Sequence, residues 1–248
     1  TNLTRFEVSL PEKRQFFIDN NDLFASFGDQ RDANPFFSRR IGIAQDTAGN
    51  SIENKIIGGV RLSGKLTKNM RVGFLNIQTA EDLPNEIASN NDMMFVLQRK
   101  VFARSNLGIF FINRETFKDY DFLSESDRFN RVVGTDFNLA SADNIWSGRF
   151  YVHKSFQPDD SEGNFSSQAM IEYNTRKYTF ITDVTFVDEE FRADLGFVPR
   201  NDIFKHGILL ERKFDPEKGK LSRHRANLLV INYWRPTLDF QNTDHLYR

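Results

Sequence analysis

The chain has 248 residues, 26 of them Phe and none Cys, and a formal net charge of -1. The balanced charge removes the global basic field that nucleic-acid binding uses, and the absence of Cys removes disulfides and thiolate metal sites. No apolar run approaches the roughly 20 residues of a transmembrane helix, and a mean hydropathy of -0.52 does not argue against a β-barrel, in which lumen-facing and lipid-facing residues average out.

No signal peptide opens the chain: Thr1-Asn2-Leu3-Thr4 lacks a charged and then apolar segment, as in a mature protein or an internal fragment. Residues 1–50 read as an N-terminal strand, Phe6-Glu7-Val8-Ser9-Leu10, followed by a Phe/Arg-rich loop or plug-like segment. Phe16-Phe17-Ile18-Asp19-Asn20-Asn21-Asp22-Leu23-Phe24 and Pro35-Phe36-Phe37-Ser38-Arg39-Arg40-Ile41-Gly42 mix paired Phe with charge and fit no period. Arg14, Phe16, Phe17, Asp19, Asp22, Arg39 and Arg40 are the candidate plug or gate residues. Arg39 or Arg40 is expected to pair with Asp19 or Asp22. A structural hairpin sealing one rim accounts for the same residues equally well.

Residues 51–248 read as an antiparallel meander of about ten strands forming a barrel wall. The runs are 54–66, 70–79, 93–103, 107–116, 129–140, 145–154, 165–174, 177–187, 202–213 and 221–234. About ten residues suits a tilted membrane-crossing strand, against five or six for an ordinary globular one. Short connectors (67–69, 104–106, 141–144, 175–176) alternate with long ones (80–92, 117–128, 155–164, 188–201), and 214–220 is intermediate. Short turns at one end and long loops at the other are how outer-membrane barrels are built.

Alternation assigns the faces. Ile56, Val60, Leu62 and Leu66 share one side of the first strand, with Arg61, Ser63 and Lys65 between them. The turns then set Leu66 beside Met70, Leu62 beside Phe74, Leu139 beside Trp146 and Tyr173 beside Tyr178. The expected lipid belt is Val133, Phe137, Phe150, Ile171, Phe180 and Val184, where Arg at Ile171 or Phe180 would cost about 2–4 kcal/mol near the bilayer midplane. Arg61, Lys65, Asp136, Arg149, Glu172 and Asp183 are the lumen-facing candidates. They make a mixed-charge interior, with Asp136 opposite Arg149. The third strand carries Arg99 on its apolar face, the fourth is apolar on both faces, and the last two are blurred.

Several segments resemble one family in order: Pro11-Glu12-Lys13-Arg14-Gln15-Phe16-Phe17-Ile18, Phe36-Phe37-Ser38-Arg39-Arg40-Ile41-Gly42, Gly58-Gly59-Val60-Arg61-Leu62-Ser63-Gly64-Lys65, Asn113-Arg114-Glu115, Asn130-Arg131-Val132-Val133-Gly134 and Gly196-Phe197-Val198-Pro199-Arg200. The chain is similar to the barrel domain of unknown function of bacterial outer-membrane proteins described as carrying a family-nine-like carbohydrate-binding domain. The resemblance implies an all-β, up-and-down transmembrane barrel in the cell outer membrane, with an unknown substrate. Asp19 stands where that family usually has Glu. The carbohydrate-binding domain lies upstream in the family and is missing here, so sugar binding does not carry over. The ending His245-Leu246-Tyr247-Arg248 lacks the terminal aromatic residue of barrels in general, which suggests part of a larger barrel.

No catalytic chemistry is legible. The four His (153, 206, 224, 245) lack i, i+4 zinc spacing, and no triad or phosphate loop appears. The acidic clusters Asp188-Glu189-Glu190 and Asp159-Asp160 with Glu162 suit solvated loops better than calcium. Trp146, Tyr173 and Tyr178 suit an aromatic girdle. The expectation is a non-enzymatic channel, transport or secretion component, with no cofactor. Its partners would be outer-membrane lipid and possible further outer-membrane or periplasmic proteins, not nucleic acid. The alternative is a soluble β-rich glycan-binding module using Trp146 and Trp234.

Overall fold

The computed structural model describes residues 12–158, 163–215 and 224–247. Two four-residue helices, α1 (Gln15–Ile18) and α2 (Asn21–Phe24), are followed by a small hairpin, β1 (Ile43–Gln45) and β2 (Ser51–Glu53). Then come β3 (Ile56–Thr67), β4 (Met70–Thr79), β5 (Asn91–Val101), β6 (Ser105–Glu115), β7 (Phe129–Ala140), β8 (Trp146–Phe156), β9 (Phe165–Asn174), β10 (Tyr178–Val187), β11 (Ile203–Phe214), β12 (His224–Arg235) and β13 (Gln241–Tyr247). β3 to β13 form one 11-stranded sheet in strict sequence order, every pair antiparallel, with β3 and β13 at its edges.

All ten expected runs are strands. β13 is an eleventh: its sequence Gln-Asn-Thr-Asp-His-Leu-Tyr carries little alternation, and it is exposed throughout. The wall begins at Ile56 rather than at residue 51, because 51–53 folds back on 43–45. The strand expected at 6–10 lies outside the described residues, as does the Asp159, Asp160 and Glu162 cluster.

The faces hold except at Ile56, which a bulge between Ile56 and Gly58 turns away from Val60 and Leu62 and packs against the core, while three registers move. Leu62 faces Phe74 as expected, but a bulge between Lys65 and Thr67 sets Thr67, not Leu66, against Met70. Leu139 faces Gly148 rather than Trp146, and Asp136 faces Tyr151 rather than Arg149. Tyr173 faces Phe180 rather than Tyr178. Turn lengths are unchanged, but each of these two turns sits one residue further along. Ser141 N–H bonds the Trp146 carbonyl and Thr175 N–H bonds the Tyr178 carbonyl. A two-residue offset keeps every side chain on its face.

The bare face is an apolar band. Directly paired rows on it include Leu62, Phe74, Phe95, Phe111 and Val133, and then Leu107, Phe137, Phe150, Ala169 and Val184. None of Val133, Phe137, Phe150, Ile171, Phe180 and Val184 is buried. The rows climb: the one that starts mid-strand at Leu62 reaches the loop end of β9 at Phe165. The paired rows are thus staggered along the strands across the sheet.

The other face is covered by residues 12–42, and the buried core lies there. Phe17, Leu23, Phe24, Phe27 and Phe36 pack with Leu75, Ile77, Met94, Val96, Phe110, Ile112 and Val132. The expected mixed-charge interior is therefore corrected in part over β4 to β7. There the covering segment brings its own Phe and Leu onto an apolar patch, while Arg71, Asp92, Arg114 and Asp136 keep charge on the same face. β6 is apolar on both faces for that reason.

Candidate functional site at the interface of the N-terminal segment and the sheet

All six lumen-facing candidates share the covered face, since each pairs directly with residues of that side. Arg61 lays its guanidinium 4.5 Å from the Phe24 ring centre and donates to the Phe16 carbonyl. Lys65 stays exposed beside Arg71. Asp136 is buried and accepts two bonds, from the Gly28 N–H at 2.7 Å and at His153 Nε2, also 2.7 Å. Arg149 reaches Asp29 at 2.9 Å. Asp183 sits 3.0 Å from Lys205 Nζ, which also bonds Asp32. Glu172 accepts from Ser147 and Asn174 within the wall. Asp136 and Arg149 thus do not pair with each other, and both hold the N-terminal segment.

The approach is close. A Cβ at Gly108 would lie 2.7 Å from the Phe27 ring, and one at Gly73 would lie 2.8 Å from the Phe24 ring. Gly28 has φ +66°, and a Cβ there would be 2.3 Å from the Ala33 carbonyl oxygen. Glycine at 28 supplies the left-handed turn that aims its N–H at Asp136.

The plug candidates divide. Phe17 is buried and Phe16 is half exposed. Asp22 pairs with Arg71 at 2.6 Å, and Asp19 accepts from Gln15. Arg40 Nε donates to the Gly196 carbonyl at 3.0 Å. The expected Arg39 or Arg40 pairing with Asp19 or Asp22 is replaced, because both aspartates lie near β3 and β4 while the arginines lie at the loop end. Sequence reading missed Arg71, Lys205, Asp29, Asp32 and His153. The inward parity of Arg71 and Lys205 on their strands was the available signal.

Arg14 ties the start of the segment. It bonds both Glu12 oxygens and the carbonyls of Ser38 and Ile41 at 2.8 and 2.7 Å, over the Phe17 ring. Burial alone would raise the Glu12 carboxyl, but hydrogen bonds from Arg14 and Ser38 outweigh it and push it from 4.5 down to about 2. The folded value lies below the ordinary one, so the tie is complete above about pH 4.5 and is lost as pH falls through about 2. Limited proteolysis is expected to cut near Arg14 only towards the acid end of that window, and cleavage already at pH 6 would contradict it.

At the loop end a clasp completes the docking. Asn34 and Phe197 exchange backbone bonds of 3.0 and 2.8 Å, and Phe37 N–H bonds the Leu195 carbonyl. A Cβ at Gly196 would lie 2.4 Å from the Asn34 carbonyl oxygen, so the chain crossing there needs glycine. Asn130 on β7 donates to the Arg192 carbonyl and accepts the Asp194 N–H, both at 3.0 Å. The segments 34–40, 130–134 and 196–200 therefore meet in space. The family model described as a domain of unknown function (DUF5916) matches residues 1–243. The chain belongs to this family. No curated protein and no solved structure matches it.

The DUF5916 match agrees with the resemblance those segments carried, and it assigns no activity, substrate or location. Among the described residues no group of three or more His, Asp or Glu is placed to hold a metal. Trp146 lies at the turn end of β8 and Trp234 at the loop end of β12, too far apart along the strands to serve as one stacking platform. Trp146 instead packs against Tyr173, ring centres 4.9 Å apart and planes tilted by 54°. Phe204 packs against Trp234 and Phe240 at the loop end, at 5.7 and 5.9 Å.

Proposed function

We propose that this chain is wall of an outer-membrane β-barrel, a channel, transport or secretion-associated component, with residues 12–42 lying against the lumen face. The observation that carries the proposal is the height of the bare apolar band. On β8 the band runs from Trp146 in the turn-side aromatic row to Phe156 near the loops, with Lys154 the one charge on that face of the strand. Ten residues at about 3.3 Å rise and about 40° tilt span about 25 Å, the height of the apolar belt of such barrels. Cations sit at the loop-side rim, as in Lys154 over Phe165 at 4.3 Å and Arg131 over Phe129 at 4.2 Å. The covered face meanwhile is polar over β7 to β11 and is matched to the segment by ion pairs, as a lumen with a plug would be. Among the described residues no helix is long and apolar enough to cross a membrane.

The expected result is that detergent extracts the full-length protein from outer membranes and that it migrates faster unboiled than boiled. Full solubility without detergent, with identical migration, would refute the proposal.

A further inference from the structure

Residues 15–30 carry three acids, Asp19, Asp22 and Asp29, and no Lys or Arg, and Asp32 follows. Three of these carboxylates meet wall cations on the covered face: Asp22 with Arg71 of β4 at 2.6 Å, Asp29 with Arg149 of β8 at 2.9 Å, and Asp32 with Lys205 of β11. Successive pairs are four and three strands apart, or about 19 and 14 Å at about 4.8 Å per strand. Arg71 and Lys205 lie on one directly paired row that crosses the sheet, and Arg149 lies two residues from Tyr151 of the same row. Among the described residues, Lys205 alone of the three cations also has a carboxylate of the sheet within bridging distance, Asp183. Withdrawing the segment would leave Arg71 and Arg149 uncompensated on a face turned away from the apolar band.

We infer that this row is an anion path and that Asp22, Asp29 and Asp32 hold the positions passing anions take, so the segment closes the path by occupying it. The inference rests on the barrel proposal. A filler needing only adhesion is already present in Phe24 and Phe27, seated over Gly73 and Gly108, whereas Asp22, Asp29 and Asp32 each fall beside a cation of the sheet. At Arg71, Arg149 and Lys205, displacement by an anion exchanges one counter-charge for another.

The test is conductance of the full-length protein in planar bilayers under a KCl gradient. D22N/D29N/D32N is expected to raise conductance several-fold over the unsubstituted protein, with a reversal potential moved toward that of chloride. R71Q/R149Q/K205Q loses the same three pairs and is expected to open as well, but with a reversal potential moved toward that of potassium. Equal selectivity in the two variants, or two variants as closed as the parent, would overturn the inference. Heat-modifiable migration of each variant reports folding. If a triple variant loses it, D22N against R71Q carries the same comparison, since Asp22 is two-thirds exposed at 67 %. A parent protein that is not heat-modifiable refutes the barrel itself, whereas a heat-modifiable pair of equal selectivity refutes only the anion path.

Discussion

Val152→Arg is expected to cost about 2–4 kcal/mol of folding stability in a bilayer, and Phe180→Arg only about 0–1 kcal/mol. Val152 lies on the bare face of β8 between Trp146 and Phe156 and is 51 % exposed. It pairs with Thr135 and Ser167, so Arg would displace no tightly packed neighbour. In water such a surface change stays within about 0.5 kcal/mol. In hydrocarbon the guanidinium must lose its hydration or drag water into the band, and the cost falls as the rim approaches. Phe180 is directly paired with Tyr173, which faces Trp146, so its row is the turn-side girdle and Arg there reaches the headgroups. The strand register therefore moves Phe180 away from the midplane that alternation alone suggests. Reversible unfolding from lipid vesicles measures both variants. Equal small effects would place the face in water and remove the membrane proposal.

Asp136→Ala is expected to destabilise the docked segment by roughly 2–6 kcal/mol, from two buried partners each losing about 1–3 kcal/mol. Asp136 is 1 % exposed, and its two oxygens take the Gly28 N–H and His153 Nε2. His153 is wholly buried between the Phe110 and Tyr151 rings, at 4.9 and 4.4 Å, and water cannot replace the lost oxygen without opening that packing. Glu172→Ala on the same face is the control. Glu172 is only partly buried and bonds wall residues alone, so the change should stay within about 1 kcal/mol. Protease access to residues 12–42, followed with denaturant, reads the difference. If the two substitutions behave alike, Asp136 does not anchor the segment.

The sequence by itself determined where ten strands of the large sheet are and, Ile56 apart, which face their assigned side chains take, because both follow from short-range alternation. Leu62, Phe74, Val133, Phe150 and Val184 share the bare face, and Arg61, Asp136 and Asp183 share the other, as their parity requires. It also located Phe17, Arg14 and Asp22 in a segment foreign to the wall. Register depended on finer contacts. Asp143 accepts from Ser141 Oγ and Ile145 N–H, with Asn144 at φ 61°, and Thr175 Oγ1 bonds both backbone groups of Tyr178. Those side-chain bonds choose which residues close a turn, and counting turn lengths does not see them. β13 was invisible because its order comes from the ladder with β12, not from its own pattern.

What only the tertiary structure decided is the pairing of the segment with the wall. Asp29 finds Arg149 across 120 residues, and Asp32 finds Lys205 across 173. Long charged side chains carry no local signal of their partner. The choice is made when eleven strands set the cations at fixed spacings and the Phe24 and Phe27 rings, seated over Gly73 and Gly108, fix where each aspartate falls.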